Sequence, residues 1–96
     1  MKIGALTHNK QEKWFELPID NFFAYVHYIE IKDKMYLTYS EVPYHMRGNG
    51  IGKILVEKTF EYLDKNKITT IEVCSFIRHI KRERKKKEES YNLAHN

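Results

Sequence analysis

The chain has one cysteine, two prolines and four glycines, and no stretch that approaches the roughly 20 apolar residues of a membrane-spanning helix. A lone thiol, Cys74, excludes an intrachain disulfide and a cysteine-based zinc cluster, and it fits a reducing compartment. Metal-ligand spacing is also lacking: His8, His27, His45, His79 and His95 include no pair at i, i+4 on a helix, so no metal site is expected. The opening Met1-Lys2-Ile3-Gly4-Ala5-Leu6 is too short and too soon polar for a secretory apolar region. These absences together point to a cytoplasmic protein with no membrane partner.

Apolar material is not lacking. Hydrophobic residues make up 42% of the 96 residues and aromatics 14%, more than a disordered chain carries, so one compact domain spanning 1–96 is expected. The net charge of +4 favours an anionic partner, but it is unevenly spread. Arg78, Lys81, Arg82, Arg84, Lys85, Lys86 and Lys87 cluster in a basic helix or tail from about residue 78, and without them the balance is slightly acidic. Such a run is most often a solvated face. No RNP, KH or helix-turn-helix signature accompanies it, which argues against a nucleic-acid partner.

Period-two patterning marks strands at Lys13–Leu17, Phe22–Ile31 and Met35–Val42, with a possible first strand over Ile3–Thr7. Pro18 with Asp20-Asn21 reads as a turn, and Lys32-Asp33-Lys34 as a break between hairpin partners. Ala24, Val26 and Tyr28 alternate with Phe23, Tyr25, His27 and Ile29, so both faces of that strand are apolar in the middle, the pattern of a central strand. From Ile51 the period becomes about 3.6, and Ile51, Ile54, Leu55, Thr59, Tyr62 and Leu63 form one helical stripe, with Asn66 as its C-terminal cap. Ile68–Cys74 reads as another strand, and Ser75 as the cap of a helix running into the basic cluster. Strands followed by helix, strand and helix give an α+β (mixed α/β) fold, a mostly antiparallel sheet with two main helices.

The segment Glu41-Val42-Pro43-Tyr44-His45-Met46-Arg47-Gly48-Asn49-Gly50-Ile51-Gly52-Lys53 joins a strand to the amphipathic helix through three alternate glycines. Backbone N–H groups at a helix start lack intrahelical acceptors and carry partial positive charge, so phosphate oxygens bind there readily, and glycine lets them come close. Arg47 and Lys53 add side-chain charge. A Walker loop is excluded because Ile54 follows Gly52-Lys53, and a dinucleotide fingerprint because the spacing is G-x-G-x-G. A plain strand-to-helix turn stays open as the alternative.

The pattern R-x-x-G-x-G over Arg47–Gly52 resembles the pyrophosphate loop of the GNAT superfamily of N-acetyltransferases. With Ser40-Glu41-Val42-Pro43 before it, Leu55-Val56 after it and Cys74-Ser75-Phe76 beyond the next strand, the chain is similar to a family of minimal GNAT-like proteins from about Phe22 to Leu93. Tyr39 stands where that family commonly has His, and the basic run replaces an R-H-P-x-Y stretch. The resemblance implies an acyl-coenzyme-A fold whose two strands flanking the loop helix splay apart. It implies acetyl-CoA as co-substrate, with no metal, and acetyl transfer to an unidentified amine, or else a coenzyme-binding module without transfer. The implied binding residues are Val42, through its backbone, and Arg47, Gly48, Asn49, Gly50, Ile51, Gly52 and Lys53. Cys74 is the candidate catalytic residue, because a helix N-terminus favours an anion and the thiolate is the nucleophilic form of cysteine, although free cysteine is usually a buried small hydrophobe. Glu41 and His79 are weaker acid–base candidates, and His45 reads as a loop residue beside the phosphates.

Overall fold

A computed structural model describes residues 1–95. Its strands are β1 (Thr7–Asn9), β2 (Trp14–Ile19), β3 (Phe22–Ile31), β4 (Lys34–Glu41) and β5 (Thr70–Glu72), and its helices α1 (Ile51–Lys65) and α2 (Ser75–His95). The sheet runs in order β1-β2-β3-β4-β5, antiparallel except for the parallel β4–β5 pair, whose crossover contains α1.

Alternation in the sequence becomes alternation in space. Phe15, Leu17 and Ile19 of β2, Ala24, Val26 and Tyr28 of β3, and Met35 and Leu37 of β4 all face one side and are buried. Burying each of the larger apolar side chains contributes about 1.5–3 kcal/mol. Against them α1 lays Ile51, Leu55, Val56, Thr59, Phe60 and Leu63, while Ile54 and Tyr62 sit half-buried at the flanks. The buried Thr59 hydroxyl costs little because it donates to Leu55 O at 2.8 Å. Only the first turns of α2 join this core, through Ile77 and Ile80.

Several local expectations shift. β2 continues through Pro18 to Ile19, because Pro18 lies beyond the three residues paired with β1 and needs no donor on that side. The turn falls instead at Asp20-Asn21, with Asp20 in positive φ at 52°. Ile3 makes only an isolated bridge to Ile19, so the first strand lies later, at Thr7–Asn9. Lys32 and Asp33 both adopt positive φ, as a two-residue hairpin turn requires. The first main-chain bond of α2 runs from Arg78 N to Cys74 O, so Cys74 rather than Ser75 immediately precedes the helix. β3 is central by position, yet both helices cover the same side of the sheet, and among the described residues no element covers the other.

Candidate functional site

The geometry of the site begins where β4 and β5 part. Their register holds for Met35–Thr70, Tyr36–Ile71 and Leu37–Glu72, and then Leu37 O accepts from both Val73 N (2.9 Å) and Cys74 N (3.4 Å). Beyond that point β4 continues to Glu41 alongside β3 alone, while the other chain turns into α2. One residue of β4, Thr38, is left out of the β3 register, since His27 pairs with Tyr39 and Tyr28 with Leu37. This bulge sits where the two strands separate.

A cavity of about 360 Å³ opens in the gap. Ser40 and Val42 wall one side, Phe76 of α2 lines it, and Met46 with Arg47, Gly48, Gly50, Ile51, Gly52 and Lys53 completes it. A short 3₁₀ turn, Tyr44–Met46, brings the chain from β4 to the glycines and buries Met46 as its anchor. Gly48 (φ +87°) and Gly50 (φ +75°) take left-handed conformations, with nothing within 4 Å of the place a Cβ would occupy. Gly50 caps α1 without any side-chain hydrogen bond, and the first helical bond is Ile54 N to Gly50 O at 3.2 Å. The N–H groups of Ile51, Gly52 and Lys53 therefore lack acceptors inside the helix and stand at its positive end. Gly52 serves a different purpose, because a Cβ there would lie 3.3 Å from Phe76 Cζ and 3.8 Å from Val42 Cγ2. It lets the helix start come close to both walls of the gap.

The expected residues do not all sit alike. Arg47 folds back, donating from Nε to Val42 O (3.1 Å) and pairing with Glu41 Oε1 (2.7 Å), and so ties the loop to the end of β4. That pairing leaves Glu41 in an exposed ion pair. Asn49 turns away from the cavity and donates from Nδ2 to Met46 O at 3.2 Å. Lys53 is exposed beside Glu57, 3.8 Å away. Cys74 is half-buried against the core at the base of the gap and is not part of the cavity wall. His45 packs edge-on to Phe22, with ring centroids 4.6 Å apart, and His79 is exposed on α2. Met46 is a wall residue that the sequence did not mark, and Phe76, part of the Cys74-Ser75-Phe76 motif, was not among the expected binding residues.

Residues 14–91 match the sequence model of the GCN5-related N-acetyl-transferase family. The chain belongs to that family. No curated protein matches it. The five-stranded, mostly antiparallel sheet with two helices is the α+β arrangement expected of a GCN5-related fold, and its parted strands and glycine-lined helix start fall within the matched residues.

A second cluster lies at the opposite end of α1. His8 stacks on Phe15 at 4.4 Å, with Nε2 2.7 Å from the Tyr28 hydroxyl and Nδ1 3.2 Å from the Tyr62 hydroxyl. Burial, with help from Lys10, lowers the His8 pKa, so the neutral imidazole is favoured. Burial first, then Glu30 and Tyr62, raises that of Tyr28. These groups satisfy one another at the end of α1 away from the glycine loop, where His8 and Tyr28 also line a cavity of about 710 Å³.

Proposed function

We propose that this domain binds acetyl-CoA and transfers its acetyl group to an amine. The observation that carries the reading is the parting of β4 and β5 directly beside a helix start whose Ile51, Gly52 and Lys53 amides have no intrahelical acceptors. Those amides suit a pyrophosphate, and the open spaces at Gly48 and Gly50 allow it to approach the main chain. The edge of β4 that β5 leaves uncovered at Ser40 and Glu41, with Val42 just beyond it, suits the amide-bearing pantetheine arm, which can lie there as an added strand does. Arg47 shapes this edge through Val42 and Glu41.

In transfer, a C–N bond forms at the acyl carbon as the C–S bond breaks; one proton leaves the amine and one reaches the departing thiolate. Cys74 stands at the base of the gap and is the nucleophile in the two-step version, taking the acetyl group before the amine does. A non-catalytic coenzyme-binding module is the second reading, favoured by a cavity wall whose only polar side chains are Ser40, Arg47 and Lys53. Release of free coenzyme A thiol from acetyl-CoA on addition of primary amines separates the two. The proposal expects amine-dependent thiol release, and tight coenzyme binding with no release for any amine class would favour the module.

A further inference from the structure

We propose that the bare face of the sheet is the interface of a symmetric homodimer. Across β2 to β5 this face presents Trp14, Phe23, Tyr25, His27, Ile29 and Tyr39, flanked by Ile31, Tyr36, Ile71 and Val73. Phe23, Ile29, Ile31, Tyr39, Ile71 and Val73 are each between 38% and 54% exposed, and they form one surface, not scattered positions. Glu72, between Ile71 and Val73, points the other way and pairs with Lys81 of α2, which fixes the orientation of that edge. Contiguous apolar surface of this extent marks an interaction site.

What distinguishes a second copy from a charged ligand is the state of the polar groups. Glu16 Oε1 accepts from Trp14 Nε1 (2.6 Å) and Asn9 Nδ2 (2.9 Å), and Glu41 is held by Arg47. The Thr38 hydroxyl donates to His27 O (3.0 Å), so at 2.7 Å it must accept from His27 Nδ1–H. Tyr25 packs edge-on against Tyr39, ring centroids 6.1 Å apart, and burial above all raises its pKa, which favours the neutral phenol. Polar groups already satisfied within one chain can be buried against an apolar partner at little cost, whereas a cationic ligand needs free carboxylates. Charge points the same way. Of seventeen Lys and Arg, only Lys34 lies in β2 to β5, so the positive charge of two copies is not brought together at this face.

The area suffices. With strands about 4.8 Å apart, about 20 Å of β2, β3 and β4 presented and about half that of the three-residue β5, two faces with their side-chain relief remove on the order of 1,000 Å² in total, the size of a weak, reversible interface. Inner faces of two sheets pack in this way about 10 Å apart. The pairing leaves the glycine loop open, because that loop lies at the start of α1 on the helical side.

The test is the mass of the full chain by light scattering from about 1 μM to about 1 mM, the range in which weak specific association is half complete. Wild type is expected to rise from 11.6 kDa towards twice that mass. Emission from Trp14, the only tryptophan, should shift to the blue over the same range. Ile29→Glu and Ile71→Glu, both at exposed positions, should each stay at single-chain mass with unchanged far-ultraviolet circular dichroism. Leu93→Glu, on the 82% exposed side chain far along α2, should dimerise as wild type does. A wild type of single-chain mass throughout, or doubling that survives Ile29→Glu and Ile71→Glu but not Leu93→Glu, overturns the proposal.

Discussion

Gly50 and Gly52 lie two residues apart, yet the structure gives alanine opposite consequences at the two positions. At Gly50 the obstacle is the backbone, since φ is +75° and nothing crowds a Cβ within 4 Å. An L-residue held in that region costs about 1–2 kcal/mol. At Gly52 the backbone is already helical, so alanine gains about 0.8–1 kcal/mol of helix propensity. Against this gain stands only a shift of Phe76 by a few tenths of an ångström from its 3.3 Å approach, which is cheap because Phe76 is 40% exposed. With a urea slope of about 1–3 kcal/mol/M, Gly50→Ala should lower the unfolding midpoint by roughly 0.3–2 M, and Gly52→Ala should leave it unchanged or slightly raise it. Calorimetric titration with acetyl-CoA should show both variants weakened, Gly50→Ala because a methyl group fills the space for a phosphate oxygen and Gly52→Ala because the gap narrows. Equal destabilisation by the two substitutions, or a Gly50→Ala midpoint at or above wild type, would refute the conformational argument.

Other expectations concern groups outside the loop. Because the His8 pKa is lowered on folding, its contribution to stability is complete above the unfolded value of 6.5 and is lost as pH falls below it, where the unfolded chain takes up the proton first. The difference in unfolding free energy between wild type and His8→Phe should therefore shift in favour of the variant between pH 7.5 and pH 5. Lys81→Met should cost about 1–3 kcal/mol by leaving the Glu72 carboxylate, whose side chain is 5% exposed, without its cation, and Glu72→Gln in the same chain should restore most of that loss. Cys74→Ala should bind acetyl-CoA as wild type does but lose transfer, and brief incubation of wild type should leave an acetyl group on Cys74. Turnover near wild type in that variant would reduce Cys74 to a packing residue.

Much of this architecture was legible because it depends on local periodicity. The switch from period two to 3.6 at Ile51 located α1 within a residue of its observed end, and the alternation in β3 put Ala24, Val26 and Tyr28, which are buried, on one face together. Glycine spacing marked the loop because positive φ is a local demand. Features that depend on tertiary partners were not legible. Nothing in Arg47 announces that its guanidinium turns back to Val42 O and Glu41, since that geometry follows from the path of the 3₁₀ turn. The basic run looked like a solvated face, yet Lys81 pairs with Glu72, and Arg84 pairs with Asp64 at 3.1 Å while covering the Phe60 ring. Two apolar faces on β3 suggested cover on both sides. Sequence alone could not tell that both helices take the same one.

The most direct test of the central claim is the response of the backbone amides to acetyl-CoA, followed by ¹⁵N NMR. The account predicts saturable shifts concentrated at Ser40 to Val42, at Gly48 to Lys53 and at Phe76, weakening with added salt because the phosphate contacts are partly electrostatic. Amides of the His8, Tyr28 and Tyr62 cluster should stay still. Shifts absent at millimolar acetyl-CoA, or centred on that cluster with the glycine loop unmoved, would contradict it.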